Sequence, residues 1–245
     1  MAEKIYHFTD PEKPAKTLIV MLKINIALFI IKFFGGIFEY LVLSGIKKRA
    51  FASEESMMET ANLCDGISTL LNCIQILFAL VILVVFLRWM YRAAANNHAS
   101  GIENISQKPH WGWINFIIPI WSLFKPYEFF REVWNAVDYD KNDPGLWKKL
   151  PAPKCLTVFW SCFIVSNILG RALSRLEGKL SVDGLIYLNY SYQFLRVINV
   201  VENIALIMLI SGIMIRQLQY RQKISGEHSE NTTPQDDENL ATEQA

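Results

Sequence analysis

Amide and ionisable side chains stand inside stretches of the sequence that are otherwise apolar. Lys32 and Glu39 are seven residues apart, a spacing that places both on one side of a helix. Similar groups recur later at helical intervals of three and four residues. Their chemistry is that of charge pairing, hydrogen bonding and hydration of a small solute or ion. We define this polar cluster as Lys32, Glu39, Asn72, Gln75, Arg196, Asn199, Glu202 and Asn203.

A second group with chemical potential is His98 and His110, with Glu103 between them, which are residue types that carry out general acid–base catalysis. The sequence contains no Gly-rich phosphate loop, no His-Glu-x-x-His and no Gly-x-Ser-x-Gly. Its four cysteines lack Cys-x-x-Cys spacing and neighbouring histidines. We therefore predict no catalytic residues, no cofactor and no metal site, and we expect the protein not to be an enzyme.

The elements that carry the polar cluster are long apolar blocks. Hydrophobic residues make up 52% of the 245-residue chain, and about 20 consecutive apolar residues cross the roughly 30 Å hydrocarbon layer as a helix. The stretch 77–87 has no polar face, which excludes a soluble helical core. The sequence predicts an all-α integral membrane protein with four transmembrane helices, at 18–43, 67–89, 155–173 and 194–215.

The distribution of Lys and Arg predicts the orientation of these spans. Fifteen of them fall in the N-terminal segment, the second connection and the C-terminal flank, against six on the opposite side. Since cytoplasmic loops are enriched in cations, both termini are predicted to be cytoplasmic. The expected organisation is a cytoplasmic segment 1–16, a membrane domain 17–215 that includes a cytoplasmic interfacial segment 109–137, and a disordered acidic tail 216–245.

In this orientation nearly all of the polar cluster falls in the outer half of the bilayer, which leaves two interpretations open. It lines a partly hydrated cavity open to the outside, or it forms interhelical hydrogen bonds that stabilise the bundle. Lys32 is predicted to meet an acidic partner, with Glu202 the first choice and Glu39 the second, because an unpaired charge at this depth costs roughly 2.5–3.5 kcal/mol on insertion scales.

The second connection is rich in tryptophan and is broken by Pro109, Pro119 and Pro126. Its apolar piece 111–124 is too short for a crossing, so it is either re-entrant or interfacial at headgroup depth. A helix beginning at Tyr127 separates apolar from polar residues cleanly, which predicts an amphipathic helix on the membrane surface. The alternative is that this helix packs on a small subdomain formed by 141–154.

This region also carries a motif that resembles a known family. The matching pattern is Trp89-x-Tyr91-Arg92-Ala93, Asn96, Pro109-x-Trp111, Trp113, Pro119-Ile120, Leu123-x-x-Pro126-Tyr127 and Glu132-x-Trp134. It resembles the bacterial membrane family named domain of unknown function 4328, which implies a four-span protein of the bacterial inner membrane and supplies no activity. The candidate interfacial motif consists of Trp89, Arg92, Asn96, Pro109, Trp111, Trp113, Pro119, Pro126, Tyr127 and Trp134.

Three functions are compatible with these features. The first is an interaction or regulatory bundle that presents the Trp-rich segment at the cytoplasmic face. The second is a conduit for a small solute or ion, built around the outward-facing polar cavity, and a lipid-modifying enzyme is a distant third. The expected partners are the lipid bilayer and either a second copy of the chain or another membrane protein, with no role for nucleic acid.

Overall fold

The computed structural model describes residues 5–117, 121–140, 142–176 and 180–230. Within these ranges the chain forms α-helices and two short 3₁₀ helices, Trp121–Leu123 and Ala136–Asp138, and no strand. The α-helices in chain order are α1 (Glu12–Lys47), α2 (Glu54–Ala99), α3 (Trp111–Ile117), α4 (Lys125–Asn135), α5 (Leu146–Lys149), α6 (Lys154–Ser174) and α7 (Val182–Glu230).

Local sequence explains where several helices begin and end. The side chain of Ser53 accepts a hydrogen bond from the backbone N–H of Ser56 at 3.2 Å, which caps the start of α2. Pro153 immediately precedes α6, and Pro126 occupies the first turn of α4, where its missing N–H costs no hydrogen bond. The connection after α1 turns at Arg49, which has a positive φ of 51°.

Helices α1, α2, α6 and α7 are each long and apolar enough to cross a membrane, which confirms the predicted class. The four predicted spans lie inside these helices. Helix α2, with 46 residues, is about 69 Å long and therefore projects beyond a roughly 30 Å hydrocarbon layer. Helix α7 continues to Glu230, so the predicted start of a disordered tail at 216 is wrong, and residues 231–245 lie outside the described residues.

The four long helices pack in the order α2, α1, α7, α6. Helices α1 and α7 are antiparallel, as three contacts along their length show. At one end Lys47 pairs with Asp183 at 2.5 Å, and further along Gln193 Nε2 donates to the carbonyl of Phe33 at 2.9 Å. Near the other end Asn25 donates to Asn203 at 3.1 Å. Helices α2 and α6 therefore form the two ends of the row.

The Trp-rich segment lies between α2 and α6, next to the C-terminal part of α2 and the N-terminal part of α6. We call its described residues, 111–117 and 121–138, the Trp-rich cap. The ring of Phe116 lies 6.2 Å from that of Phe86 on α2, and 6.2 Å and 6.5 Å from those of Trp160 and Phe163 on α6. Trp160 also donates its indole N–H to the carbonyl of Leu123 at 2.9 Å. The cap thus joins two helices that pack elsewhere on other partners.

Helix α4 packs its apolar face on the core of the protein, and the prediction that this face lies on the membrane surface is wrong. Phe130 is fully buried, and Phe129 and Val133 are 1% and 4% exposed in the main core cluster. The alternative prediction, packing against 141–154, holds for the C-terminal end of α4, where Asn135 donates to the carbonyl of Leu150 at 3.0 Å. An apolar face must be covered, but the pattern alone does not say whether lipid or protein covers it.

Candidate functional site

A cleft of about 490 Å³ opens between α3, α4 and α5, within the size range of sites for small ligands. We call it the Trp cleft. Its walls combine aromatic rings with amides and charged groups. The lining residues are Ser106, Gln107, Trp111, Asn115, Trp121, Lys125, Glu128, Arg131, Glu132, Asn135, Trp147 and Lys148.

Side chains fix the backbone of the cleft wall. The Glu132 carboxylate accepts hydrogen bonds from the backbone N–H groups of Ser106 at 2.8 Å and Gln107 at 3.0 Å. Asn115, which is 2% exposed, donates to the side chain of Gln107 at 3.0 Å. These bonds tie the loop after α2 to both α3 and α4. The cleft is therefore preformed rather than assembled from free loops.

Tryptophans form the rim and the floor of the Trp cleft. Trp111 and Trp121 have ring centroids 6.5 Å apart and are 36% and 47% exposed. Trp147 is 2% exposed, with Lys148 Nζ 5.5 Å from its ring centroid. An indole offers a large apolar face together with one N–H donor, so this arrangement suits a ligand with both apolar and polar parts.

Three cations and two carboxylates line the Trp cleft, so its lining carries one excess positive charge. Lys125 pairs with Glu128 at 2.6 Å, and Glu132 is engaged by two backbone N–H groups. Arg131 and Lys148 form no ion pair with any described residue. The excess cation, and the absence of ion pairs at Arg131 and Lys148, favour an anionic group.

The candidate interfacial motif divides into scaffold and surface residues. Trp89 is 2% exposed and stacks on Phe130 at a ring distance of 6.5 Å, and Pro109 and Pro126 are buried. Trp111 and Trp113 are exposed. The remaining members are Arg92, which is half-buried, Tyr127, whose hydroxyl lies 3.3 Å from that of Thr157, and Pro119, which lies outside the described residues.

Trp134, the last residue of the motif, packs directly on α7. A Cβ added at Gly212 would overlap the six-membered ring of Trp134. The guanidinium of Arg216 lies 5.1 Å from the centroid of the same indole and donates to Asp138 at 2.5 Å. Glycine at 212 therefore allows the Trp-rich cap to contact the backbone of α7 closely.

Asn96 is the centre of a buried hydrogen-bond network whose role the sequence did not reveal. Its side chain accepts from the backbone N–H of Thr9 at 2.9 Å and donates to the Thr9 carbonyl at 2.8 Å. Gln217 donates to Asn97 at 2.7 Å, and Asn97 donates to the carbonyl of Val133 at 3.0 Å. Asn96 also donates to Gln217 at 3.4 Å. The network joins the N-terminal segment, α2, α7 and the Trp-rich cap.

The structure brings most of the polar cluster together around a second cavity of about 390 Å³ between α1, α2 and α7. Lys32 donates to Gln75 at 2.5 Å, which crosslinks α1 to α2. Gly36 makes room for the side chains of Gln193 and Arg196, which would overlap a Cβ at this position. The cluster members that line this cavity are Lys32, Glu39, Asn72, Arg196 and Asn199.

Glu202 and Asn203 lie outside this cavity, and the predicted pairing of Lys32 with Glu202 is wrong. Asn203 accepts the hydrogen bond from Asn25, whereas Glu202 lies beside Ser166 of α6. The antiparallel register of α1 and α2 places Gln75 opposite Lys32. Glu202 is one residue before Asn203, about 100° around the helix, and so faces a different neighbour.

His98, His110 and Glu103 each contact a different neighbour and not one another in the contacts that the structure describes. His98 Nε2 lies 3.1 Å from the carbonyl of Gln107, and its ring packs against Tyr6, whereas His110 packs against Trp111. Burial and the neighbouring Glu103 carboxylate raise the pKa of Tyr139, which places Glu103 beside that phenol. No described contact assembles these groups into an acid–base pair.

The fold and the Trp-rich cap define an all-helical membrane protein with four apolar helices of spanning length. A family model matches residues 52–214, and the chain belongs to this family, described as Domain of unknown function (DUF4328). The matched region contains the Trp-rich cap and both of its helical supports. No curated protein and no solved structure matches the chain.

Proposed function

We propose that the protein is a membrane-anchored interaction protein with a regulatory role, and that its ligand site is the Trp cleft. The observation that carries this proposal is a cleft of about 490 Å³ whose aromatic rim and cationic wall rest on a backbone fixed by Glu132 and Asn115. A preformed site is typical of ligand recognition, because little ordering is required on binding.

The Asn96 network supplies a physical basis for regulation. Val133 belongs to α4, which also contributes Glu128, Arg131 and Glu132 to the Trp cleft. The carbonyl of Val133 is bonded to Asn97, and through Gln217 and Asn96 the network reaches Thr9. A ligand that moves α4 would therefore alter contacts of the N-terminal segment, which is a direct route for signalling.

We propose a bacterial inner membrane as the location, with the Trp-rich cap and both termini on the cytoplasmic side. The excess of Lys and Arg in the cap-side segments supports this orientation. Exposed apolar side chains on α2, such as Leu77 at 65% and Val84 at 66%, are suited to contact with the lipid bilayer. Further partners compatible with this function are a second copy of the chain or another membrane protein, and not nucleic acid.

Photo-crosslinking in cells tests the ligand site. A benzoylphenylalanine at Trp121, which lines the cleft, is expected to give a discrete adduct that Arg131→Gln weakens. Trp113 is the matched control, because it is 41% exposed in the same cap but does not line the cleft. The same adduct pattern at both positions, or none at Trp121, would contradict the proposal.

The conduit is a second candidate, favoured by the convergence of Lys32, Glu39 and Arg196 on one cavity. It predicts that Asn72→Cys and Asn199→Cys react with a charged, impermeant thiol reagent in intact cells, in a background without the four native cysteines. Ser181→Cys serves as the outer reference, and Ser225→Cys should react only after permeabilisation. Protection of both cavity positions would exclude the conduit, and labelling of Ser225→Cys in intact cells would contradict the orientation.

A further inference from the structure

We infer that the Trp cleft binds the phosphate ester of an anionic phospholipid; this inference rests on the proposed function and specifies the ligand. Three observations lead to it: an unused hydrogen-bond donor on a residue that lines the cleft, two cations that lack acidic partners, and the position of the cleft relative to the apolar part of the helices.

The unused donor is the indole N–H of Trp147. Trp147 is 2% exposed and lines the cleft, and its Nε1 atom has no hydrogen-bond partner among the described residues. Leaving a buried donor unsatisfied is unfavourable, so the unpaired N–H of a cleft-lining residue points to a ligand that accepts a hydrogen bond. The Nε1 atom is itself closed to solvent, so such a ligand must displace the neighbouring side chains slightly to reach it. A phosphate ester only accepts, and it offers several oxygens.

The cations determine the charge of this acceptor. Arg131 and Lys148 line the same cleft, and neither forms an ion pair with a described residue. The two acids of the cleft, Glu128 and Glu132, are engaged by Lys125 and by backbone N–H groups. The cleft therefore offers three cations against two carboxylates, and two of these cations lack an acidic partner, which favours an anionic over a zwitterionic headgroup.

The position of the cleft identifies the source of the phosphate. Phe116 of α3 contacts Phe163 of α6. Phe163 lies nine residues, or about 14 Å, beyond the start of α6. Helix α3 therefore extends towards the apolar part of the bundle. Its other end carries Trp111 at the cleft, and Trp121, Leu123 and Phe124 are 47%, 43% and 64% exposed nearby. An apolar edge beside a cationic wall matches a lipid whose chains remain in the bilayer, where tryptophans also prefer to lie.

Native mass spectrometry of the full chain tests this assignment. The protein is presented with an equimolar mixture of phosphatidylglycerol and phosphatidylcholine that carry the same acyl chains. We expect phosphatidylglycerol to be retained in preference, and we expect Arg131→Gln with Lys148→Gln to reduce this retention about tenfold, since two solvent-exposed charge contacts are lost. Replacing Trp147 with 3-benzothienylalanine, in which sulfur takes the place of the N–H, keeps the bicyclic ring shape and should also reduce retention, which tests the donor with little change in packing.

Lys149→Gln is the matched control, because Lys149 is an exposed neighbour of Lys148 that does not line the cleft. Equal retention of the two lipids, or equal losses in Lys148→Gln and Lys149→Gln, would overturn the inference. Binding of soluble glycerol phosphate as tightly as the lipid would also overturn it, with a free ester as the ligand. A discrete adduct at Trp121 that is not a lipid would retain the proposed function while excluding this ligand.

Discussion

Replacement of Asn96 by aspartate is expected to lower the free energy of unfolding by about 3–5 kcal/mol, the range for an uncompensated buried charge. The substitution is isosteric, so packing is preserved. The amide that donates to the Thr9 carbonyl at 2.8 Å becomes a carboxylate oxygen facing that carbonyl. Asn96 is fully buried, so water cannot compensate for the lost donor.

The melting temperature of the purified protein measures this effect, and proteolysis of the N-terminal segment locates it. Asn62→Asp is the matched control, since Asn62 is an exposed residue of the same helix. Asn96→Ala should be destabilising by a smaller amount, because it leaves polar groups unsatisfied without adding a charge. If Asn96→Asp and Asn62→Asp melt at the same temperature, the network does not support the fold.

Gly212→Ala is expected to be the second most damaging change, at about 1–3 kcal/mol, as for overpacking of a well-filled core. The added Cβ overlaps the ring of Trp134, which is a rigid group that can relieve the overlap only by moving the Trp-rich cap away from α7. That movement would also separate Arg216 from the indole, now 5.1 Å away, and from Asp138.

Gly66→Ala provides the comparison, because a Cβ at Gly66 has no atom within 4 Å and the residue is also helical. Glycine is unfavourable in a helix, so this control should be neutral or stabilising by up to about 1 kcal/mol. The two melting temperatures should therefore shift in opposite directions or differ clearly. Equal shifts would show that Trp134 is not packed on α7.

The membrane helices were predictable because each apolar block must cross the hydrocarbon layer regardless of its neighbours. Their lateral order was not, since a uniformly apolar helix such as α2 has no face that identifies its partner. Lys32 illustrates this difficulty: its need for a polar partner could be inferred, but Gln75 became its partner through the register of α1 and α2. The motif likewise marked Asn96 without showing that it binds backbone groups of Thr9.

The Trp cleft was only partly predictable. Trp111 was identified from its position in a short apolar segment next to the membrane, but Trp147 was missed because it lies outside the motif in a polar stretch. A single tryptophan among charged residues was the available signal, since such a side chain is rarely left in water. The surface-helix error on α4 arose because the space between α2 and α6 exists only in the assembled fold.

Chemical crosslinking between α3 and α6 tests most directly whether the Trp-rich cap is wedged into the helical bundle. Phe116→Cys and Phe163→Cys, combined in a background without the four native cysteines, should be joined in membranes by a short bifunctional thiol reagent that spans the space of the two removed rings, since the native rings are 6.5 Å apart. Phe116→Cys with Val165→Cys should not, because Val165 is 46% exposed on another face of α6. Absence of the first crosslink, or equal formation of both, would mean that the segment lies in the lipid headgroups and that the Trp cleft is not built as described.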